Sequence, residues 1–310
     1  MAIEGHNQPT PLLHTIGFRI CTSTLSHPLE YAKFLIQIGH EPLPAYPTTT
    51  FFGKPKYMLP NVFQYVKYIK GIDGFTGCYR GFAPKLAGQV VGMFSAPMVV
   101  NQLKQELGPD FDFNPTDDEL SDEEKITVFK RTLMLDIVGR SISIVVSHPF
   151  SVISARMMAE FVGGEQQYSG IFASIMEIYK EQGIGGFFSG LMPRWLGELA
   201  TLIVSSFLIF GVNNYVIQDR ELKVFTIPTL QYITTTMTYP LTVISSCMQV
   251  NNCGLAAGMP PHMPIYKNWR SCFSHLSKTG KLHRGSGLFF RYCPSPSPAI
   301  GSNPKSKYFF

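Results

Sequence analysis

Charge is scarce in this sequence. Asp, Glu, Lys and Arg make up 15% of its 310 residues, against roughly 25% in an ordinary soluble domain. Set beside 45% hydrophobic residues, that scarcity excludes a disordered or collagen-like chain. The six cysteines, Cys21, Cys78, Cys247, Cys253, Cys272 and Cys293, include no C-x-x-C pair and no zinc-ligand spacing, so neither a metal ribbon nor a disulfide scaffold is indicated and packed or reduced thiols are expected. Residues 1–10 hold no basic stretch ahead of an apolar core and no Arg-rich amphipathic stretch, so any targeting signal is expected inside the chain. No G-x-x-x-x-G-K-[ST] loop, G-x-S-x-G elbow or H-E-x-x-H pair occurs, which argues against an enzyme and gives no reason to expect a cofactor. His262, His275 and His283 share a basic region, where solvated rings are a better reading than a metal site.

What the chain has is apolar bulk: 24 Phe, 14 Tyr and 13 Met, gathered into long stretches with few charges. That pattern indicates an all-α, multi-pass membrane protein. Leu199–Ile217 and Val224–Val250 contain no charged residue and are the strongest candidates for spanning helices. Leu86–Leu103 is also uncharged, is interrupted by Pro97 and is flanked by Lys85 and Lys104, whose ammonium groups can reach headgroups. Ile126–Phe161 carries Asp136, Arg140 and Arg156, and Leu12–Ile38 carries Arg19, Glu30 and Lys33, so both are weaker by hydropathy alone.

The formal charge of +5 hides an asymmetry, because eight of the 21 acidic residues lie between Asp110 and Glu124. The remainder is distinctly basic, yet its Lys and Arg are dispersed and form no recognition helix, so no nucleic-acid partner is expected.

An internal repeat organises the chain. His27-Pro28-Leu29, His148-Pro149-Phe150 and Tyr239-Pro240-Leu241 each place a proline inside an apolar helical segment, where it removes an intrahelical donor and kinks the helix. Each is followed by a polar loop, a short amphipathic stretch and a glycine turn: Asp73-Gly74 to Arg80-Gly81, Gln182-Gly183 to Ser189-Gly190, and more loosely Gly280 to Gly285. In the middle copy Ile171, Ile175, Ile178 and Tyr179 recur at helical spacing, which predicts a helix lying along the membrane surface. These features give three copies of one unit, at about 10–108, 125–220 and 222–291, within a single domain over 1–291.

Two spanning helices per copy would make six. The third copy, however, runs into Arg291-Tyr292-Cys293-Pro294-Ser295-Pro296-Ser297-Pro298, which cannot hold helical hydrogen bonds in lipid, so the expected number is five. From Asn251 onward there are eight Lys or Arg and no acid, which predicts a solvated basic loop and a disordered Pro/Ser-rich tail over 292–310.

The first copy reads P-x-[DE]-x-x-K at Pro28, Glu30 and Lys33, then [DE]-G-x-x-x-x-[aromatic]-[KR]-G at Asp73, Gly74, Tyr79, Arg80 and Gly81. This resembles the signature of the mitochondrial solute carriers. The later copies depart from it: Ser151 and Ser154, then Thr242 and Ser245, stand where carriers have charges, and Ser189 replaces a basic residue. In a carrier such charges form a ring that closes one face during alternating access, and here only Glu30 and Lys33 remain of it. With the absent sixth helix and the stretch Val250–Gly258, the chain is similar to the mitochondrial carrier homologue family over Ser23 to about Arg291.

That resemblance implies a divergent carrier of the mitochondrial outer membrane. It also implies a role in inserting α-helical, especially tail-anchored, proteins, with parts in apoptotic signalling and lipid handling. A ring of helices with one position empty would expose a polar interior sideways to lipid. Charges inside spanning segments cost roughly 2.5–3.5 kcal/mol each at a helix centre, so they should face such a path. Glu30, Lys33, Asp136, Arg140, Arg194, Glu198, Asn213 and Asn214 are the candidate lining, and Thr234, Thr235 and Thr236 add hydroxyls. Asp136 with Arg140, and Arg194 with Glu198, lie one helical turn apart and can pair. The plainer alternatives are anchoring ion pairs, a headgroup-reaching Arg194 and ordinary helix packing by Asn and Thr. Two other functions stay open: a solute transporter of the carrier type, and a receptor or scaffold whose acidic segment recruits a soluble partner.

Overall fold

The computed structural model describes residues 12–49, 53–107, 121–216 and 220–293. Most of the acidic segment between Asp110 and Glu124, and the tail from residue 294, lie outside these. Among the described residues the chain is mostly helical. Five long helices, α1 (Leu12–Ile38), α3 (Phe82–Leu107), α4 (Asp122–Gly163), α6 (Leu191–Gly211) and α7 (Arg220–Val250), alternate with three short ones, α2 (Val62–Gly77), α5 (Ile171–Gln182) and α8 (Trp269–Lys278). A small antiparallel sheet, in the order β1 (Tyr46–Thr49), β2 (Pro55–Leu59), β3 (Arg291–Cys293), pairs Tyr46 with Met58 and Leu59 with Arg291 at its ends.

Local chemistry starts and stops these helices. Asn61 with Gln64, Ser121 with Glu124, and Asn268 with Ser271 form reciprocal capping boxes at the starts of α2, α4 and α8. Helix α4 ends at Gly164 in the left-handed conformation, which costs glycine little. Pro28, Pro149 and Pro240 all fall inside long helices, α1, α4 and α7. At 42 residues and about 1.5 Å per residue, α4 is roughly 63 Å long, well beyond a hydrocarbon core of about 30 Å.

One contact recurs at each of these prolines. The residue before it bonds the carbonyl that precedes a glycine turn: His27 Nε2 to Arg80 O at 3.1 Å, His148 Nε2 to Ser189 O at 2.9 Å, and Tyr239 Oη to Arg284 O at 3.0 Å. The glycines that follow, Gly81, Gly190 and Gly285, have φ of +76°, +78° and +77°. Ser154 and Ser245, at the positions where carriers hold a basic residue, donate to Gly81 O at 2.8 Å and Gly190 O at 2.9 Å. In the third place Lys33 lies 5.1 Å from the centre of the Tyr239 ring, and Gln37 Nε2 donates to Tyr239 Oη at 3.0 Å.

These contacts knit the C-terminal ends of α1, α4 and α7 into the core, around Tyr31, Leu35, Val152, Phe161, Val243 and Ile244. Helix α3 packs on α4 through Gly88 and Gly92, where an added Cβ would come within 2.9 Å of Phe150 and of Ser143. This is the close approach that small residues permit between membrane helices.

Two expectations are corrected. By length and composition, Glu123–Gly163 and Ile184–Val216 are apolar enough to cross a membrane among the described residues, whereas Val224–Val250 is not among them. Freedom from charge is not apolarity: α7 carries Thr226, Thr229, Gln231, Thr234, Thr235, Thr236, Thr238 and Gln249, while in the central part of α4 the Val, Ile and Leu outweigh Asp136 and Arg140. Residues 251–291 are also no plain solvated loop. Cys253, Leu255, Ala257, Met263, Tyr266, Cys272 and Leu276 are buried there, and Asn251 holds the segment through Nδ2 to Tyr266 O at 2.8 Å and Oδ1 from Tyr266 N at 2.9 Å. Arg291 is buried as well, donating to Pro60 O at 2.9 Å and pairing with Glu41.

Candidate functional site

All five long helices contribute to one cavity of about 1380 Å³. Its wall is polar. Arg19, Lys33, Lys85, Arg140 and Arg194 are its basic residues, Glu30, Asp136 and Glu198 its acids, and Ser, Thr and Gln fill most of the remainder. The floor lies where the serine–glycine bonds draw the helix ends together, with Gln37, Ser154, Ser245 and Gln249 at its edge.

The helices place the charges in two groups. In the first, Glu30 accepts from Ser26 Oγ at 2.6 Å and pairs with Lys85 of α3. Lys33, one turn beyond Glu30, turns instead to the Tyr239 face, an arrangement that the ring quadrupole favours. In the second group Glu198 takes two arginines, Arg194 Nε at 2.9 Å and Arg140 Nε at 3.5 Å. Arg194 Nη1 also lies 3.4 Å from His148 Nδ1. Because Nε2 of that histidine faces the Ser189 carbonyl, the neutral ring carries its proton there and offers Nδ1 as the acceptor. Trp195 Nε1 donates to Ser141 Oγ at 3.1 Å and Thr201 Oγ1 lies 2.6 Å from Thr238 Oγ1, tying α6 to both neighbours.

Six of the eight residues singled out from the sequence, Glu30, Lys33, Asp136, Arg140, Arg194 and Glu198, line this cavity. Asn213 and Asn214 do not. They fall in the π-helical turn Val212–Val216 beyond the end of α6, where the change of helical pitch rotates them away from the face that carries Glu198. The ion pair expected along α4 between Asp136 and Arg140 is not formed among the described residues, since Arg140 reaches across to α6 instead. Of the threonines, Thr235 lines the cavity while Thr234 and Thr236 do not.

Two residues escaped sequence reasoning. Lys85, read as a headgroup anchor, is the partner of Glu30. It stands four residues after Gly81, as Arg194 stands four after Gly190, so aligning the copies on their glycines would have found it. Arg156 is fully buried below the floor, where it donates to Gln249 O at 3.2 Å and Gln182 Oε1 at 2.6 Å and pairs with Glu181 at 3.5 Å.

One seam of the wall is unbridged. The polar contacts between α1 and α7 sit at Lys33 and Gln37, where Ser246 Oγ donates to Gln37 Oε1 at 2.9 Å and Gln37 reaches Tyr239. Nearer the start of both helices, Arg19, Thr22 and Ser23 on α1 and Gln231, Thr235 and Thr238 on α7 border the cavity with no hydrogen bond or ion pair between the two sets among the described residues.

Comparison with known proteins gives this arrangement its relatives. The family model described as mitochondrial carrier protein matches residues 14–110 and 129–219, more than half of the chain. Mitochondrial carrier homolog 2 of Homo sapiens is 38% identical over 280 residues, covering 87% of this chain and 90% of the relative. The Mus musculus protein of the same name is 37% identical over 275 residues with the same coverage. Mitochondrial carrier homolog 1 of Mus musculus is 33% identical over 318 residues, 95% of this chain and 80% of the relative. The chain thus belongs to the mitochondrial carrier family, among its mitochondrial carrier homologues.

Proposed function

We propose that this protein inserts α-helical membrane proteins, tail-anchored ones above all, into the mitochondrial outer membrane, using the polar cavity as a path open to lipid through the seam between α1 and α7. The observation that carries the reading is the combination of a charged cavity, drawn together at its floor, with a flank between α1 and α7 that polar contacts bridge at Lys33 and Gln37 but, among the described residues, not nearer the start of the two helices. A three-copy reading of the chain is supported by the recurring proline contacts, and the absence of a further long helix after α7 among the described residues fits the open seam. The names of the relatives support a mitochondrial membrane, and the outer one is what likeness to the carrier homologues implies.

Physical chemistry supplies the mechanism. A client's apolar helix enters bilayer favourably, and the barrier is its short polar tail, since a polar group moved from water to hydrocarbon without partners costs roughly 2–7 kcal/mol. Along the cavity wall the tail exchanges water for Arg140, Glu198, Gln231 and Thr235, while the helix leaves sideways into lipid. No covalent step and no nucleotide are required. The same path would let lipid headgroups slip between leaflets, a side activity that dye-labelled lipids in the same vesicles would report.

Two observations weigh against solute transport by alternating access. Ser154 and Ser245 are committed to glycine carbonyls, and Glu30 is held by Lys85, so no three-way ring of ion pairs forms to close and reopen the floor. A receptor or scaffold role, including one for apoptotic regulators, would depend on the acidic segment before α4, so deleting that segment should abolish recruitment yet spare insertion.

The direct test reconstitutes the pure protein into liposomes and measures protease-protected insertion of a tail-anchored reporter. Glu198→Arg should reduce insertion, and so should Gln231→Leu with Thr235→Leu, which leaves every ion pair intact. Undiminished insertion by both folded variants rejects the path.

A further inference from the structure

Beside the cavity, the surface at the end of α1 carries a second organised feature. Helix α2 buries Val62, Tyr65 and Ile69 and shows solvent the stripe Phe63, Lys67, Lys70 and Phe75. The C-terminal strand extends that stripe. Val62 N donates to Leu288 O at 3.0 Å, and Phe289 then lies against Phe63 with ring centres 5.6 Å apart. On β3, Arg291 points inward to Glu41, which turns Tyr292 outward beneath Lys56 of β2, 5.9 Å from its ring centre, and beside Phe290. Phe290 is 71% exposed and Phe289 56%.

The band is aromatic and basic at once. Its nearest acids are engaged elsewhere, Glu41 by Arg291 and Asp73 by Arg80 at 2.9 Å. Among the described residues no carboxylate lies in ion-pair range of Lys56, Lys67 or Lys70, and Lys70 extends over the Phe75 ring at 5.9 Å. Exposed rings interleaved with ammonium groups suit the headgroup layer of a bilayer, where the ring body meets acyl carbon and the cation meets phosphate.

Position agrees with chemistry. At 27 residues and about 1.5 Å each, α1 is roughly 40 Å long, which matches the thickness of a bilayer with its headgroup regions. Helix α2 packs at its C-terminal end, where Tyr65 Oη donates to His40 O at 3.1 Å. The band therefore stands at the level of the headgroups and not beyond them.

We infer that α2, β2 and the C-terminal segment Leu288–Tyr292 form an interfacial plate that seats the end of α1 on anionic phospholipid headgroups. A second copy of the chain could also cover exposed rings, but three lysines facing three lysines would repel across a twofold contact, so a lipid surface is the better complement. The inference does not depend on insertase activity.

The test places a tryptophan in the plate, Phe290→Trp, in the full chain reconstituted in phosphatidylcholine vesicles with or without phosphatidylserine. The parent protein supplies the background from Trp195 and Trp269. The added emission should be quenched by lipids brominated or spin-labelled near the headgroup, less by deep labels, and more strongly with phosphatidylserine. Adding Lys56→Glu, Lys67→Glu and Lys70→Glu should abolish the phosphatidylserine increment while the melting temperature stays unchanged. The inference is overturned by emission that only aqueous iodide quenches. It is equally overturned by lipid quenching that phosphatidylserine does not alter, or by a signal that grows with protein density and marks a second copy as the occupant.

Discussion

Arg140 and Arg156 stand on the same helix, sixteen residues and so about 24 Å apart, yet they inhabit different kinds of protein. The Arg140 side chain is 52% exposed in the cavity wall and holds a single carboxylate at 3.5 Å. Arg156 has no exposure at all, and its guanidinium is divided among the Gln249 carbonyl, Gln182, Tyr168 and Glu181. Below the floor, polar groups are spent on each other and the helices are locked. Above it, polar groups are left facing a space. One helix thus changes from mortar to lining, and the change occurs at Ser154 and its bond to Gly81 O.

The sharpest way to break this contrast is to remove each arginine in turn. Arg156→Ala strips a buried cation from several partners, leaving Gln182 Oε1 without this donor and Glu181 with the Tyr168 hydroxyl but no cation, a class of change that costs about 3–5 kcal/mol. Arg140→Ala removes an exposed pair worth about 1 kcal/mol or less. Thermal unfolding of the purified protein should separate the two variants widely, and equal losses would mean that the floor is no more locked than the wall.

A second lever sits just past the end of α1. His40 is buried with neither ring nitrogen hydrogen-bonded, packed edge-on to Tyr65 and Phe161. Burial, with a smaller push from His262, takes its pKa down to about 3. The unfolded ring takes up its proton near 6.5 and the folded ring does not, so this contribution is complete above pH 6.5 and lost as the pH falls toward 3. At pH 5 the loss is about 2 kcal/mol. His40→Phe should melt with a flatter acid dependence than the parent. Glu41 acts in the other direction, because burial raises its carboxyl pKa despite Arg291, and comparing parent with variant cancels it.

Glycine turns offer an intermediate test. Gly190→Ala would bring a Cβ within 2.7 Å of Ser245 O at a φ of +78°, whereas Gly280→Ala, at φ +66° in the turn that closes α8, meets nothing within 4 Å. The second substitution should cost about 1–2 kcal/mol for the left-handed backbone alone, and the first should cost more because a backbone atom must also move. Equal melting temperatures would show that the floor contact yields easily.

Much of this was legible in the sequence because it was periodic. Three prolines, each after His or Tyr and each followed by a glycine turn, marked the kinks and the turns that meet them. The cavity charges were legible because ionised groups within apolar helices have few places to go. What stayed hidden depended on contacts distant in the chain. Arg156 looked like a charge that weakened a span, since nothing nearby announces Gln249 or Glu181 as partners. The fold of 251–293 rests on isolated residues such as Cys253, Leu255 and Tyr266 with no common period, in a stretch whose missing acids suggested solvent. The π-turn that carries Asn213 out of line leaves no mark in composition.

The smallest effects sharpen the comparison most, because they set one hydroxyl against another. Ser154 Oγ donates to Gly81 O in a buried joint between two elements, so Ser154→Ala should cost about 1 kcal/mol by removing the shorter of that carbonyl's two hydrogen bonds, the other coming from Lys85 N at 3.3 Å. Thr235 faces the cavity and donates only to Gln231 O, 2.7 Å away on its own helix, so Thr235→Val should stay within about 0.5 kcal/mol of the parent. The order should invert when reporter insertion is measured. Loss of a hydroxyl from the path removes a group that a crossing polar tail could use, while loss of one from the floor does not. A Ser154 variant that melts like the parent, or a Thr235 variant that melts lower, would erase the boundary drawn between the two halves of the helix ring.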